Sequence, residues 1–195
     1  MDQSAPAIDP PALDIVALRA SPAVIAALSD LLIETVANGG SVSFMHPLAP
    51  SVAADFWTRS LAAAAAGRRV VLGAYEAGDL VATVTLLLDC PPNQPHRAEI
   101  AKMMTRLSCR GRGIARALME EAERIAGERG RTLLTLDTAD EDGAGPFYEK
   151  LGFVRAGLIP DYALKPHGGL CGTIIYWKRI GAAATPPPRD RPLPS

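Results

Sequence analysis

The chain reads as an α/β protein, a mixed sheet with helices on its faces, and three observations predict it. Apolar runs of strand length recur through residues 70–177. Between two of them, Ala98–Thr105 and Thr132–Thr138, lies an amphipathic helical stretch, Gly113–Glu128. A strand–helix–strand unit of this length makes its two strands parallel neighbours. Elsewhere short turns join consecutive runs, which makes those pairs antiparallel.

The elements follow in order. Asp14–Arg19 is predicted as a first strand. Ser21-Pro22 supplies an N-cap and a proline at the first helical position, opening a helix to about Ala37 that Asn38-Gly39-Gly40 ends. Ser41–Pro50 reads as a long loop. A second helix begins at about Ser51 and ends in the alanine run before Gly67. Val70–Tyr75 and Leu80–Leu88 flank the turn Glu76–Asp79 as a hairpin, and Asp89–Pro95 is a proline-rich loop. In the helix Gly113–Glu128, Ile114, Leu118, Ala122 and Ile125 make a core stripe, with Glu120 and Arg124 paired on the wet face. A short helix spans about Ala144–Leu151, and Phe153–Leu158 and Thr173–Trp177 form a final antiparallel pair. Pro6, Pro10 and Pro11 at one end and Pro186-Pro187-Pro188, Pro192 and Pro194 at the other mark 1–12 and 182–195 as flexible tails around one domain, 13–180.

Composition narrows the function. At 195 residues, 48% hydrophobic and 21% charged, the chain has the balance of an ordinary soluble domain. A net charge of −1 gives no reason to expect nucleic acid or an anionic membrane as partner. Three cysteines, Cys90, Cys109 and Cys171, show no paired or metal-ligand spacing, so they read as reduced thiols of a cytoplasmic protein without a metal site. No leader-like segment opens the chain, and no apolar run reaches the ~20 residues of a membrane span.

The most specific segment is Arg110-Gly111-Arg112-Gly113-Ile114-Ala115, of pattern R-x-x-G-x-A. Glycines at a strand-to-helix turn leave backbone N–H groups unobstructed, and the helix N-terminus adds its dipole. Together they suit a pyrophosphate, and arginines on both sides add matching charge. About 35 residues later stands Phe147-Tyr148-Glu149-Lys150-Leu151-Gly152-Phe153.

This pair of motifs resembles the GNAT-type acetyl-CoA-dependent N-acetyltransferases over roughly residues 13–180. Shorter segments, Asn93–Glu99, Leu136-Asp137-Thr138 and Ile159–Leu164, are similar to the tabtoxin resistance branch, which acetylates a small amine-bearing toxin. The resemblance implies a mostly antiparallel, twisted sheet with one splayed parallel pair. It also implies acetyl-CoA as co-substrate. Backbone amides of Gly111, Arg112, Gly113 and Ala115 would hold its pyrophosphate, with Arg110 and Arg116 near by. Met103, Met104 and Thr105 would lie along the pantetheine arm, the Met103 N–H facing the acetyl oxygen, a donor worth about 3 kcal/mol.

Alternation along this strand puts Glu99, Ala101, Met103 and Thr105 on one face and Ala98, Ile100, Lys102 and Met104 on the other. An amine must lose a proton before it attacks, and a carboxylate can take it. The resemblance offers two, Glu99 and Asp137; for Glu99 an ion pair with Arg97 or Lys102 is the alternative. Tyr148 is the candidate acid toward the departing thiolate. Phe44, Trp57 and Tyr162 are candidates to line the acceptor pocket. Where many relatives carry asparagine, seven residues before Tyr148, this chain has Glu141.

The expected activity is acetyl transfer to a primary amine of a small molecule, of the toxin- or antibiotic-resistance kind, by direct attack in a ternary complex. Acetylation of a protein or peptide amine and a non-catalytic acyl-CoA-binding module are the alternatives. The chain is expected to act as a monomer or a homodimer.

Overall fold

The computed structural model describes residues 13–141 and 143–181. The expected tails lie outside the described residues. Seven strands and four α-helices follow the chain: β1 (Asp14–Ala17), α1 (Pro22–Ala37), α2 (Pro50–Ala65), β2 (Arg69–Glu76), β3 (Asp79–Leu87), β4 (Arg97–Thr105), α3 (Ile114–Glu128), β5 (Leu133–Ala139), α4 (Gly145–Lys150), β6 (Val154–Leu164) and β7 (Leu170–Arg179). A single 3-10 turn, Leu107–Cys109, leads from β4 toward α3. The strands form one sheet in the order β1-β2-β3-β4-β5-β7-β6.

Local chemistry explains most boundaries. The Ser21 side chain accepts a hydrogen bond from the Val24 N–H at 3.2 Å, with Pro22 at the first helical position. The β2–β3 connection is a two-residue turn with Ala77 at φ +51° and Gly78 at φ +90°, the conformation whose twist suits a hairpin. β2 is apolar almost throughout because both faces are covered. Val70, Leu72 and Ala74 pack toward α3, while Val71 packs beneath α1 and α2. The α1/α2 core centres on Leu28, Leu31, Leu32, Trp57 and Leu61, and the other on Leu118, Ala122, Leu134 and Tyr176.

Three expectations are corrected. Arg124 bonds Glu121 at 2.7 Å and also pairs with Glu128, whereas Glu120 faces Arg116 at 3.6 Å, because Glu121 and Glu128 flank Arg124 at equally good helical spacings. In the α3 stripe Ile125 is only partly buried and Ala126 is fully so. The sixth strand does not stop at Leu158 but runs through Pro160 to Leu164. Pro160 is tolerated because β6 is an edge strand, and the irregularity between Ile159 and Ala163, with Asp161 at φ +51°, absorbs it.

Candidate active site

The site is built where the sheet comes apart. β4 and β5 pair in parallel only at Arg97↔Leu133, Ala98↔Leu134 and Glu99↔Thr135. Beyond Glu99 the two strands have no ladder contact, although each stays paired on its other side, β4 to β3 and β5 to β7. The split opens a cleft of about 520 Å³, walled by Ile100–Thr105 of β4, by Asp137 and Thr138 of β5 and by Ala144, Phe147 and Tyr148 at α4. The end of α1 and residues 38–43 close one side, and Arg110 and Ala115 stand on the other.

β4 is not a regular strand here. Met104 pairs with Thr83 and Ala101 with Thr85, so Lys102 and Met103 together oppose Val84. This is a β-bulge, and Lys102 sits in it at φ +53°. A lysine in the left-handed region costs about 1–2 kcal/mol. The extra residue overturns the expected alternation: Ala98, Ile100 and Met103 lie on the α3 side, whereas Met104 is buried in the α1/α2 core.

The turn before α3 takes a conformation that favours glycine. Gly111 and Gly113 adopt φ +76° and +82°, which only glycine takes without strain, and a Cβ built on either would meet nothing within 4 Å. The first-turn N–H groups of α3 carry no side-chain cap, and no acidic side chain stands in that turn. This open, uncapped helix start beside the cleft fits the pyrophosphate of coenzyme A. Arg110 reaches the cleft and donates from Nε to the Thr105 carbonyl at 3.5 Å. Arg112 and Arg116 are engaged elsewhere: Arg112 grips Glu76 of β2 with both guanidinium nitrogens, and Arg116 faces Glu120. Glu34 of α1 fixes the lead-in. It pairs with Arg106 at 2.7 Å and accepts the Leu107 N–H at 2.9 Å.

Tyr148 lies on α4, 7% exposed, with Phe147, Phe153 and Tyr176 rings 5.1, 6.0 and 6.1 Å away. Burial, with a lesser contribution from the charge of Asp137, pushes its phenol up to about 12. A phenol that weak lies about three pH units above an ordinary thiol. Full proton transfer to a thiolate is therefore uphill, and the hydroxyl is suited to donating a hydrogen bond. Asp137 shares the cleft wall with Tyr148 and accepts from Thr173 Oγ1 at 3.2 Å.

Glu99 is at the last paired register, just outside the cleft wall. Arg97 holds it at 3.2 Å, with further bonds from Arg97 to Gln94 at 2.7 Å and Thr135 at 2.8 Å, so of the two ion pairs given as the alternative reading of Glu99 the one with Arg97 is present.

The acceptor candidates separate. Phe44 packs edge-on to Phe56 at 5.2 Å, and both rings face the Lys102 ammonium, at 5.9 and 5.8 Å. Trp57 is corrected: it is 0% exposed in the α1/α2 core and lines no cleft. Tyr162 lies 56% exposed on the β6 edge and, like Phe44, is not among the residues that wall the cleft.

Two features were missed. Lys102 lines the cleft, and burial lowers its pKa against the opposing charges of Asp137 and Glu99. Its only sequence signal is a lysine amid apolar strand residues. Second, the loop after α1 is clasped to the β6–β7 tip. The His46 N–H donates to the Pro166 carbonyl at 2.8 Å, the His46 and His167 rings are 4.5 Å apart, and His167 Nε2 lies 3.1 Å from the Ala37 carbonyl. Glu141 pairs with Lys165 of the same tip at 2.9 Å.

The splayed parallel pair agrees with the sheet that the resemblance to the GNAT-type acetyltransferases implies. Residues 41–153 match the model of the acetyltransferase (GNAT) family, more than half of the chain, and the chain belongs to that family, an N-acetyltransferase by class. Solved structures share the fold. An N-acetyltransferase from Staphylococcus aureus Mu50 is 17% identical, with 86% of this chain and 98% of that one covered at a TM-score of 0.73. A ribosomal-protein-alanine N-acetyltransferase from Brucella melitensis is 21% identical, covering 85% and 99% at 0.74. A structure from Salmonella typhimurium that holds acetyl-CoA as its cofactor is 16% identical, covering 89% and 97% at 0.71. No described helix is long and apolar enough to cross a membrane.

Proposed function

We propose that the chain moves an acetyl group from acetyl-CoA to the primary amine of a small molecule, by direct attack in a ternary complex. The observation that carries this reading is one cleft that joins the unpaired edge of β4, Asp137 and Tyr148 and ends beside the uncapped start of α3. The co-substrate would supply a thioester-activated acetyl group. Backbone N–H groups of Gly113 and the first turn of α3 would hold its pyrophosphate with Arg110. The unpaired edge from Met103 to Thr105 would hold the pantetheine arm, and the Met103 N–H would donate to the acetyl oxygen, stabilising the charge that grows there.

The remaining chemistry is proton handling. Asp137, on the cleft wall, takes the proton that the attacking amine gives up, while Glu99 stands one step back and serves through water. Tyr148 donates a hydrogen bond to the departing sulfur. Cys109 is buried on the α3 side with no histidine partner among the described residues, which supports direct attack rather than an acyl-enzyme.

Residues 38–43 of the loop after α1 wall the acceptor side, and the same loop is tied at His46 to the β6–β7 tip, which supports a small molecule over a peptide strand. The resemblance of Leu136-Asp137-Thr138 and Ile159–Leu164 to the tabtoxin resistance branch supports a resistance role in the cytoplasm. A thiol-release assay with acetyl-CoA and a panel of small amines and N-terminal peptides tests the reading. Release with small amines is the expected outcome. Release with peptides alone would favour a protein acceptor, and acetyl-CoA binding without any release would favour a non-catalytic module.

A further inference from the structure

The acceptor side of the cleft holds a lysine, Lys102, that makes no ion pair among the described residues. Lys102 Nζ bonds Ser43 Oγ at 3.0 Å and faces the Phe44 and Phe56 rings. No carboxylate lies within 4 Å of it among the described residues; Asp137 on β5 and Glu99 on β4 act on it only through their fields. An ammonium carries three donors, so two remain without an acceptor. The neighbouring wall from α1 and its loop, Thr35 and 38–43, contributes no acidic group.

The backbone adds an independent sign. Among the described residues four that are not glycine have positive φ, and two of them, Ser43 and Lys102, bond each other across this cleft. A bulge needs no lysine in that conformation. Such strain persists where the side chain serves the site.

We propose that Lys102 selects acceptors that carry an anionic group beside the amine, a carboxylate first of all. The carboxylate completes the two remaining donors of Lys102, while the amine faces Asp137. The acceptor is then a zwitterion of the amino-acid type, and polycationic amines are disfavoured because Lys102 and Arg110 both face the cleft. This inference rests on the acetyl-transfer reading of the same cleft.

The test uses matched amines that differ by one anionic group: leucine against 3-methylbutylamine, phenylalanine against 2-phenylethylamine, and 2-aminoethylphosphonate against ethylamine. CoA release gives kcat/KM for each, and each ratio is compared between wild type and variants, so intrinsic amine basicity cancels. Lys102→Met is expected to lower the preference for the anionic member by about 10- to 100-fold, the worth of a hydrogen bond to a charged group. Lys102→Arg should keep most of it, and Lys102→Glu should invert it. Lys102→Gly, which relieves the positive φ and so keeps the fold, should reproduce the Met result. A turned-over pair whose ratio is the same in wild type, Met and Gly variants overturns the role of Lys102 and leaves acetyl transfer standing. Loss of the preference for the phosphonate pair alone overturns the carboxylate. CoA release with neither member of any pair overturns both readings.

Discussion

Glu34 grips both sides of the bend after β4: one carboxylate oxygen pairs with Arg106 at 2.7 Å, and the other accepts the Leu107 N–H at 2.9 Å. A residue of α1 thus sets the path by which β4 reaches the anion-binding turn. Glu34→Gln keeps the shape and removes the charge. It is expected to cost about 1 kcal/mol of stability. It should raise the KM for acetyl-CoA several-fold while the KM for the amine stays within about twofold. Thermal melts and steady-state kinetics with each substrate varied in turn check this, and a rise confined to the amine KM would contradict it.

Tyr148 should stay protonated at a pH where an unperturbed phenol ionises. Its raised value means that the folded state holds this proton more tightly than the unfolded chain does. The stability tied to it is complete below about pH 10 and is lost as pH climbs from there to about 12. Difference absorbance of the phenolate band, compared with Tyr148→Phe, follows the group directly; a midpoint near the ordinary value would refute the buried setting. Tyr148→Phe should lower kcat by about 10- to 100-fold with little change in acetyl-CoA binding.

The two carboxylates are separable. Asp137→Asn should lower kcat by about 100-fold or more, the usual range for a lost general base. It should also shift the Tyr148 phenol downward, because the charge that helps raise it is gone. Glu99→Gln should lower kcat less than Asp137→Asn, and acetyl-CoA binding least of all. If Glu99→Gln is the more damaging of the two, the order of the bases is reversed.

Gly113→Ala isolates conformation from bulk. The added methyl meets nothing, so any effect arises from φ +82°. The substitution should cost about 1–2 kcal/mol of stability. It should also weaken acetyl-CoA binding about tenfold through the displaced amides. Calorimetric titration with coenzyme A reads this, and unchanged affinity would mean that the turn does not hold the phosphates.

Much of the fold was legible because its signals are local. Ser21-Pro22 names its own cap, and the spacing of Ile114, Leu118 and Ala122 names the inward face of α3. The cleft residues Met103, Thr105, Arg110, Asp137 and Tyr148 are carried by motifs, and the structure gathers them around one cleft. The bulge was hidden because Glu99–Thr105 has no glycine or asparagine to announce a positive φ. Trp57 misled because an aromatic residue can serve a core or a pocket equally well. Its neighbours Ala53 and Leu61, one turn either side and both buried, mark the core. The clasp of His46 on His167 joins positions far apart in the chain, and neither histidine advertises the other.

The bulge at Lys102 has a consequence for how this chain tolerates change in length. Because one inserted residue moves Met104 from the α3 core to the α1/α2 core, the count of residues between Glu99 and Met104 acts as a parity setting. Deleting one residue there would exchange the inner and outer faces of everything from Met104 to the turn, exposing a methionine to the wrong core and rotating the amide row by half a pleat. Single-residue insertions and deletions should therefore be lethal to the site in this stretch, while loops such as Asp89–Pro95 accept them.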